Sequence, residues 1–139
     1  MTPEQRALVQ DSFERVEPLG DTVAALFYGR LFELDPSLRP MFRGDMQAQE
    51  RKLLQALALA VRSLDHLETL VPILEALGRR HAAYGVKDEH YATVGAALLW
   101  TLRQGLGDGF TAEVEEAWAT VYQLVATTMK EAPLTEEAA

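Results

Sequence analysis

Leu70-Val71-Pro72-Ile73-Leu74-Glu75-Ala76-Leu77-Gly78-Arg79-Arg80-His81, residues 70–81, sets the reading of the whole chain. Leu70, Leu74, Leu77 and His81 recur at i, i+4, i+7 and i+11. That is the period of an α-helix with one buried stripe. At the strand period of two, the same residues would scatter over both faces of a sheet. Arg79 and Arg80 fall on the other face, toward water. The helix reads over Leu67–Ala83, with Pro72 near its start, where a missing N–H is tolerated, and Gly85 as its stop.

The same period continues on both sides of this stretch. Thr2-Pro3-Glu4-Gln5 opens a first helix with a Thr cap, a Pro in the first turn and a Gln closing a capping box. Its stripe is Val9, Phe13 and Val16, and Pro18 and Gly20 break it. From Asp21 to about Leu34, apolar residues cover most of the circumference, which predicts a helix packed on more than one side. Asp35-Pro36 starts a short piece ending near Phe42, and Arg43-Gly44-Asp45 is a turn. Further helices read over Gln47–Ser63, Glu89–Leu106 and Ala112–Met129. Gly105-Leu106-Gly107-Asp108-Gly109 superficially matches a dinucleotide-binding loop, but no strand precedes it and the third Gly is misplaced, so it reads as a connection. No stretch reads convincingly as a strand. The chain is predicted to be all-α, with about seven helices in one domain over residues 1–132 and an acidic, disordered tail over 133–139.

Composition narrows the function classes. The 139 residues are 48% apolar, enough for a single core without covalent staples. Cysteine is absent, which removes disulfides, thiolate metal sites and cysteine nucleophiles together. Thirteen basic against 21 acidic residues leave a net charge of −8, so a nucleic-acid partner lacks its electrostatic footprint. The charge-free runs Leu53–Val61 and Tyr91–Leu102 are too short to span a bilayer, and no membrane partner is expected. The N-terminal residues show neither a basic nor an apolar leader region, so a cytoplasmic location is expected.

Few residues are left to carry chemistry. Three histidines are present. His66 follows an Asp in a polar junction, and His90 sits in a first helical turn beside Asp88 and Glu89, with Asp88 read as that helix's cap. Only His81 lies on an apolar stripe. By itself that pattern fits a hydrogen-bonded core histidine or a metal ligand. Gln49 interrupts the stripe Gln49, Leu53, Ala56/Leu57 and Ala60, and Tyr28 interrupts Ala24, Leu31 and Phe32. A polar group on such a face is unfavourable unless it meets a partner. Tyr, Gln and His on three apolar faces describe a pocket with one metal ligand and two hydrogen-bonding groups.

The chain resembles the globins, and among them the bacterial single-domain haemoglobins and the haem domain of flavohaemoglobins. The resemblance runs from about Thr2 to Lys130. It rests on Leu26-Phe27-Tyr28-Gly29-Arg30-Leu31-Phe32, on Pro36 with Met41-Phe42, and on Gln49-Glu50-Arg51-Lys52-Leu53. Leu77-Gly78-Arg79-Arg80-His81-Ala82-Ala83-Tyr84-Gly85-Val86, His90-Tyr91 and Trp118 complete it. Their order and spacing carry the specificity. The resemblance implies a globin fold around a pocket for haem b (iron protoporphyrin IX), with His81 matching the proximal iron ligand.

Tyr28 and Gln49 match the pair that hydrogen-bonds a ligand on the distal side, with Leu53 as its apolar wall. Phe42 matches the residue that stacks on the porphyrin. Leu77, Val86, Tyr91 and Val94 fall where haem-lining residues are expected, and Lys52 and Arg80 where propionates are paired. There is no distal histidine, since His66 lies about 25 Å along a helix from Gln49. Tyr91 matches a tyrosine that polarises the proximal histidine in flavohaemoglobins, but the companion glutamate's position falls at Pro133. The flavin reductase domain is not seen. Function is therefore expected to be high-affinity, reversible binding of O2, with CO and NO as further ligands. The alternative is NO dioxygenase activity, in which bound O2 oxidises NO to nitrate and a separate, unidentified reductase restores ferrous iron. The protein is expected to be a monomer or a weak homodimer.

Overall fold

Thr2 begins the helical architecture as anticipated. In the computed structural model, which describes residues 1–132, its hydroxyl accepts from the Gln5 N–H at 3.1 Å while the Gln5 side chain accepts from the Thr2 N–H at 3.0 Å. Helix α1 follows over Pro3–Val16. A 3-10 turn at Glu17–Leu19 leads into α2, Gly20–Leu34. Gly20 thus starts α2 rather than breaking the chain, and it is buried with Leu54 against its open face. The short piece after Asp35 is 3-10 helix over Pro36–Met41, capped by the Asp35 carboxylate on the Ser37 N–H at 3.1 Å.

Helix α3 spans Met46–Arg62, α4 Leu67–Ala83, α5 Asp88–Leu106 and α6 Ala112–Lys130. The Asp45 carboxylate accepts from Gln47 N–H at 3.0 Å and the Thr111 hydroxyl from Val114 N–H at 3.2 Å, so both helices start where an oxygen meets a free N–H. The fold is all-α, with six α-helices, three 3-10 segments and no strand among the described residues. The expected seventh helix is the 3-10 piece, too short and too rich in Pro to close α-helical bonds. The expected tail at 133–139 lies outside the described residues.

The helices cross in pairs, α2 on α5, α1 on α6 and α4 on α6. Trp118 is 2% exposed, and its indole N–H donates to the Ser12 hydroxyl at 2.8 Å. Left unpaired at that depth, the indole N–H would be strongly unfavourable. Two apolar clusters result. The larger holds Val9, Phe13, Phe27, Leu31, Leu98, Leu102 and Trp118, and the smaller holds Leu70, Leu74, Tyr91, Ala126 and Met129. Helix α3 reaches both. Its C-terminal Ala60 packs with Leu67 and Leu70, while its Leu53 and Leu57 pack on the larger cluster. Helices α3 and α4 are not among the extensively packed pairs; α3 packs mainly on the larger cluster and α4 on the smaller, so the two make separate arms of the fold.

Candidate functional site

The α3 arm carries Gln49 on its second turn. The Gln49 amide N–H donates to the Tyr28 hydroxyl at 3.2 Å, joining α3 to the middle of α2. Tyr28 is 6% exposed, and burial pushes its pKa above the usual 10, so the hydroxyl stays protonated. Its oxygen accepts from Gln49, and its own proton makes no hydrogen bond to a protein group among the described residues. The ring is fixed by Phe27 at 5.0 Å and by Phe42 at 5.4 Å, both edge-on. Phe42 follows the 3-10 turn, where Arg39 donates to its carbonyl at 2.9 Å. Phe42, Leu53 and Val94 are half-buried at the border of the larger cluster.

The α4 arm carries His81 in its last turn. The His81 Nδ1 lies 2.8 Å from the Leu77 carbonyl one turn earlier, so Nδ1 carries the proton and donates. Nε2 makes no protein hydrogen bond among the described residues. Burial lowers the imidazole pKa, opposed by the Leu77 bond and aided by Arg80, so the ring is neutral and Nε2 offers a lone pair. Gly85, at a φ of +92°, then turns the chain back where a side chain would be strained. The turn brings the Val86 N–H to the His81 carbonyl at 3.0 Å. Leu77 and Val86 pack on the smaller cluster beside Tyr91, whose ring lies 6.5 Å from that of His81. Lys52 and Arg80 are exposed and form no ion pair among the described residues.

The site residues read from the sequence therefore fall into two groups. Tyr28, with Gln49 bonded to it, and Phe42, Leu53 and Val94 belong to the larger cluster or its border. Leu77, Val86 and Tyr91 belong to the smaller one or its border, beside His81. Among the described residues no three His, Asp or Glu side chains are grouped to hold a bare metal ion. A metal coordinated by His81 would need its other ligands from a bound group.

A globin family model matches residues 25–129, which takes in both arms, α5 and most of α2 and α6. The chain belongs to the globin family. It is 35% identical over 125 residues to a flavohemoprotein of Bordetella parapertussis, covering 88% of this chain and 31% of that protein. It spans about a third of the length of such relatives. A neuroglobin of Danio rerio is 33% identical over 93% of this chain and 90% of its own. A bacterial globin from Campylobacter jejuni superposes with a TM-score of 0.79 at 28% identity, covering 91% of each chain. The protein is thus a haem globin by family. No helix among the described residues is long and apolar enough to cross a membrane.

Three further residues adjoin these groups without having been given a site role from the sequence. Leu57, already on the Gln49–Leu53 stripe, and Met46 border the larger cluster. Phe32, already on the Tyr28 stripe, closes the aromatic group at 5.5 Å from Phe42, a contact set by the path of the 3-10 turn. His90 is also settled: α5 starts one residue earlier than expected, Lys87 occupies the cap position in place of Asp88, and the His90 ring accepts from the Lys87 N–H at 2.9 Å.

Proposed function

We propose that this globin holds haem b between α3 and α4, with His81 as the residue that would ligate its iron, and binds O2 reversibly. The observation that carries the reading is a neutral His81 on α4, its Nε2 free, together with the Tyr28–Gln49 pair that joins α2 to α3. The residues fit the group. A flat macrocycle needs apolar surface, and Phe42, Leu53, Leu57 and Val94 at the border of the larger cluster, with Leu77 and Val86 at that of the smaller, are half-buried apolar side chains. Covering such side chains contributes about 25 cal/mol per Å² of apolar surface. Lys52 and Arg80 are free to meet two propionates.

Ferrous haem, when bound, supplies reversible coordination of O2, CO or NO. The chain supplies the rest. The Leu77 carbonyl fixes the His81 tautomer and ring angle. Gln49 occupies a lone pair of the Tyr28 hydroxyl and leaves its proton uncommitted, so that it would be available to a ligand on the haem. Phe42 and Leu53 keep water from that proton. The domain carrying this function is residues 1–132, and the location is cytoplasmic.

NO dioxygenation with a separate reductase is the second reading, favoured by the flavohemoprotein relatives. The surroundings of His81 weigh against it. Among the described residues Nδ1 of His81 meets the Leu77 carbonyl and no carboxylate, and Lys130 faces the neighbouring Tyr91 ring, its ammonium 5.9 Å from the centroid. That arrangement gives the imidazole no anionic push. Absorbance spectra of the purified protein under O2, CO and argon test the binding reading, which requires reversible ferrous spectra that vanish in His81→Ala. Sustained NO consumption with a supplied flavin reductase, well beyond one equivalent, would instead establish the enzyme.

A further inference from the structure

Gly78 lies one turn before His81, where α4 crosses the end of α6. It is buried, and a Cβ built on it would fall 2.8 Å from the Met129 Cα and 2.9 Å from the Met129 carbonyl carbon, with the carbonyl oxygen closer still. These are backbone atoms and cannot rotate away. They also belong to a held terminus, since the Glu131 N–H of the α6 cap bonds back to Met129 and Thr127 carbonyls. The Met129 side chain and Ala132 are both buried beside it. Two helix backbones therefore touch with no side chain between them.

We propose that Gly78 is the positioning residue for His81: the bare contact with Met129 sets how closely α4 lies on α6, and so where the imidazole stands. The inference rests on His81 being the haem ligand. Its physical basis is the rigidity of the last turns of α4. His81 is joined to the contact by the helix from Gly78 and by its own Nδ1 bond to Leu77, so a shift of the α4 backbone at residue 78 carries the ring with it. Leu70 and Leu74, on the same buried stripe, meet α6 through flexible side chains and can adjust without moving the backbone. Substitution at Gly78 has no such freedom, because the helix itself must move. The end of α6 thereby acts as a backstop for the proximal ligand.

The test uses the holoprotein. Gly78→Ala should shift the iron–histidine stretching band of the ferrous, ligand-free form in resonance Raman spectra, and should speed haem transfer to apomyoglobin about tenfold or more. Leu74→Ala serves as the control. It opens a cavity in the same cluster and lowers the melting temperature, but should leave the band in place. Lys130→Gly, which loosens the last turn of α6 so that Met129 can yield, should return the band of Gly78→Ala toward the parent position. An unmoved band in Gly78→Ala, or an equal shift in Leu74→Ala, overturns the proposal. If Gly78→Ala does not retain haem, recovery of haem with the parent band in Gly78→Ala/Lys130→Gly supports it, and failure to recover overturns it. His81→Ala separates the two levels. Haem retained there with unchanged spectra refutes the ligand assignment itself, whereas haem lost there with an unmoved band in Gly78→Ala refutes only the backstop.

Discussion

Replacing Tyr28 by Phe removes one oxygen and leaves the ring where Phe27, Phe32 and Phe42 hold it. The fold should barely notice, because Gln49 is half-buried and water can reach the amide that loses its partner. The ligand should notice a great deal. The hydroxyl stays neutral at working pH, since burial raises its pKa above 10, and its proton is committed to no protein acceptor among the described residues. O2 on ferrous haem draws negative charge toward itself, and CO draws far less. A hydrogen bond to a charged acceptor contributes about 1.5–3 kcal/mol, and about 1.4 kcal/mol is tenfold in affinity. Tyr28→Phe should therefore speed O2 release about ten- to a hundredfold. CO release should change by far less. Stopped-flow displacement of O2 by excess CO, and of CO by NO, reads both rates. Unchanged O2 release, or equal acceleration for both gases, would refute a donor role and leave Tyr28 as a core residue.

His81→Ala should lose haem through purification while His66→Ala and His90→Ala keep it, as the ratio of Soret to protein absorbance would record; His66 is exposed and the His90 ring is already engaged by Lys87. Gln49→Leu should speed O2 release in the same direction as Tyr28→Phe but less, because its stronger structural role is to orient the hydroxyl. Ser12→Ala leaves the Trp118 N–H unpaired in the core and should lower stability by about 1–3 kcal/mol in urea melts, with haem spectra unaltered. For the haem-free protein, burial holds the His81 pKa below its ordinary 6.5, so the unfolded chain takes up that proton first as pH falls. Its contribution is complete above pH 6.5 and is lost as pH drops from there through the lowered folded value. Denaturant midpoints on either side of pH 6.5 should show this slope, and His81→Ala should flatten it.

The helices were legible in the sequence because each is specified by neighbours in the chain. The Thr2-Pro3-Glu4-Gln5 box, the Asp45 and Thr111 caps and the stripe Leu70–His81 act over one or two turns, and all three starts fall at or within one residue of their expected places. The starts of α2 and α5 were less legible. Gly20 joins α2 with Leu54 against its open face, and α5 gains one residue because the His90 ring, rather than an Asp88 carboxylate, meets the exposed N–H at its start. Those choices depend on partners that local propensity does not include.

The candidate site divides the same way. Periodicity alone placed His81, Tyr28 and Gln49 on apolar faces, since a polar residue in such a stripe demands a partner. The sequence could not say which partner. Folding decides that Gln49 donates to Tyr28, that the Leu77 carbonyl takes the Nδ1 proton, and that Lys130 rather than an acid stands over Tyr91. It also decides the helix pairing. Nothing in the order of residues shows that α3 and α4 pack mainly on different clusters, or that Gly78 rests on the backbone of Met129. Local sequence fixed the stripes because helix geometry repeats every 3.6 residues. The Tyr28–Gln49 bond and the Gly78–Met129 backstop join residues far apart in the chain, and those contacts exist only once the core has closed.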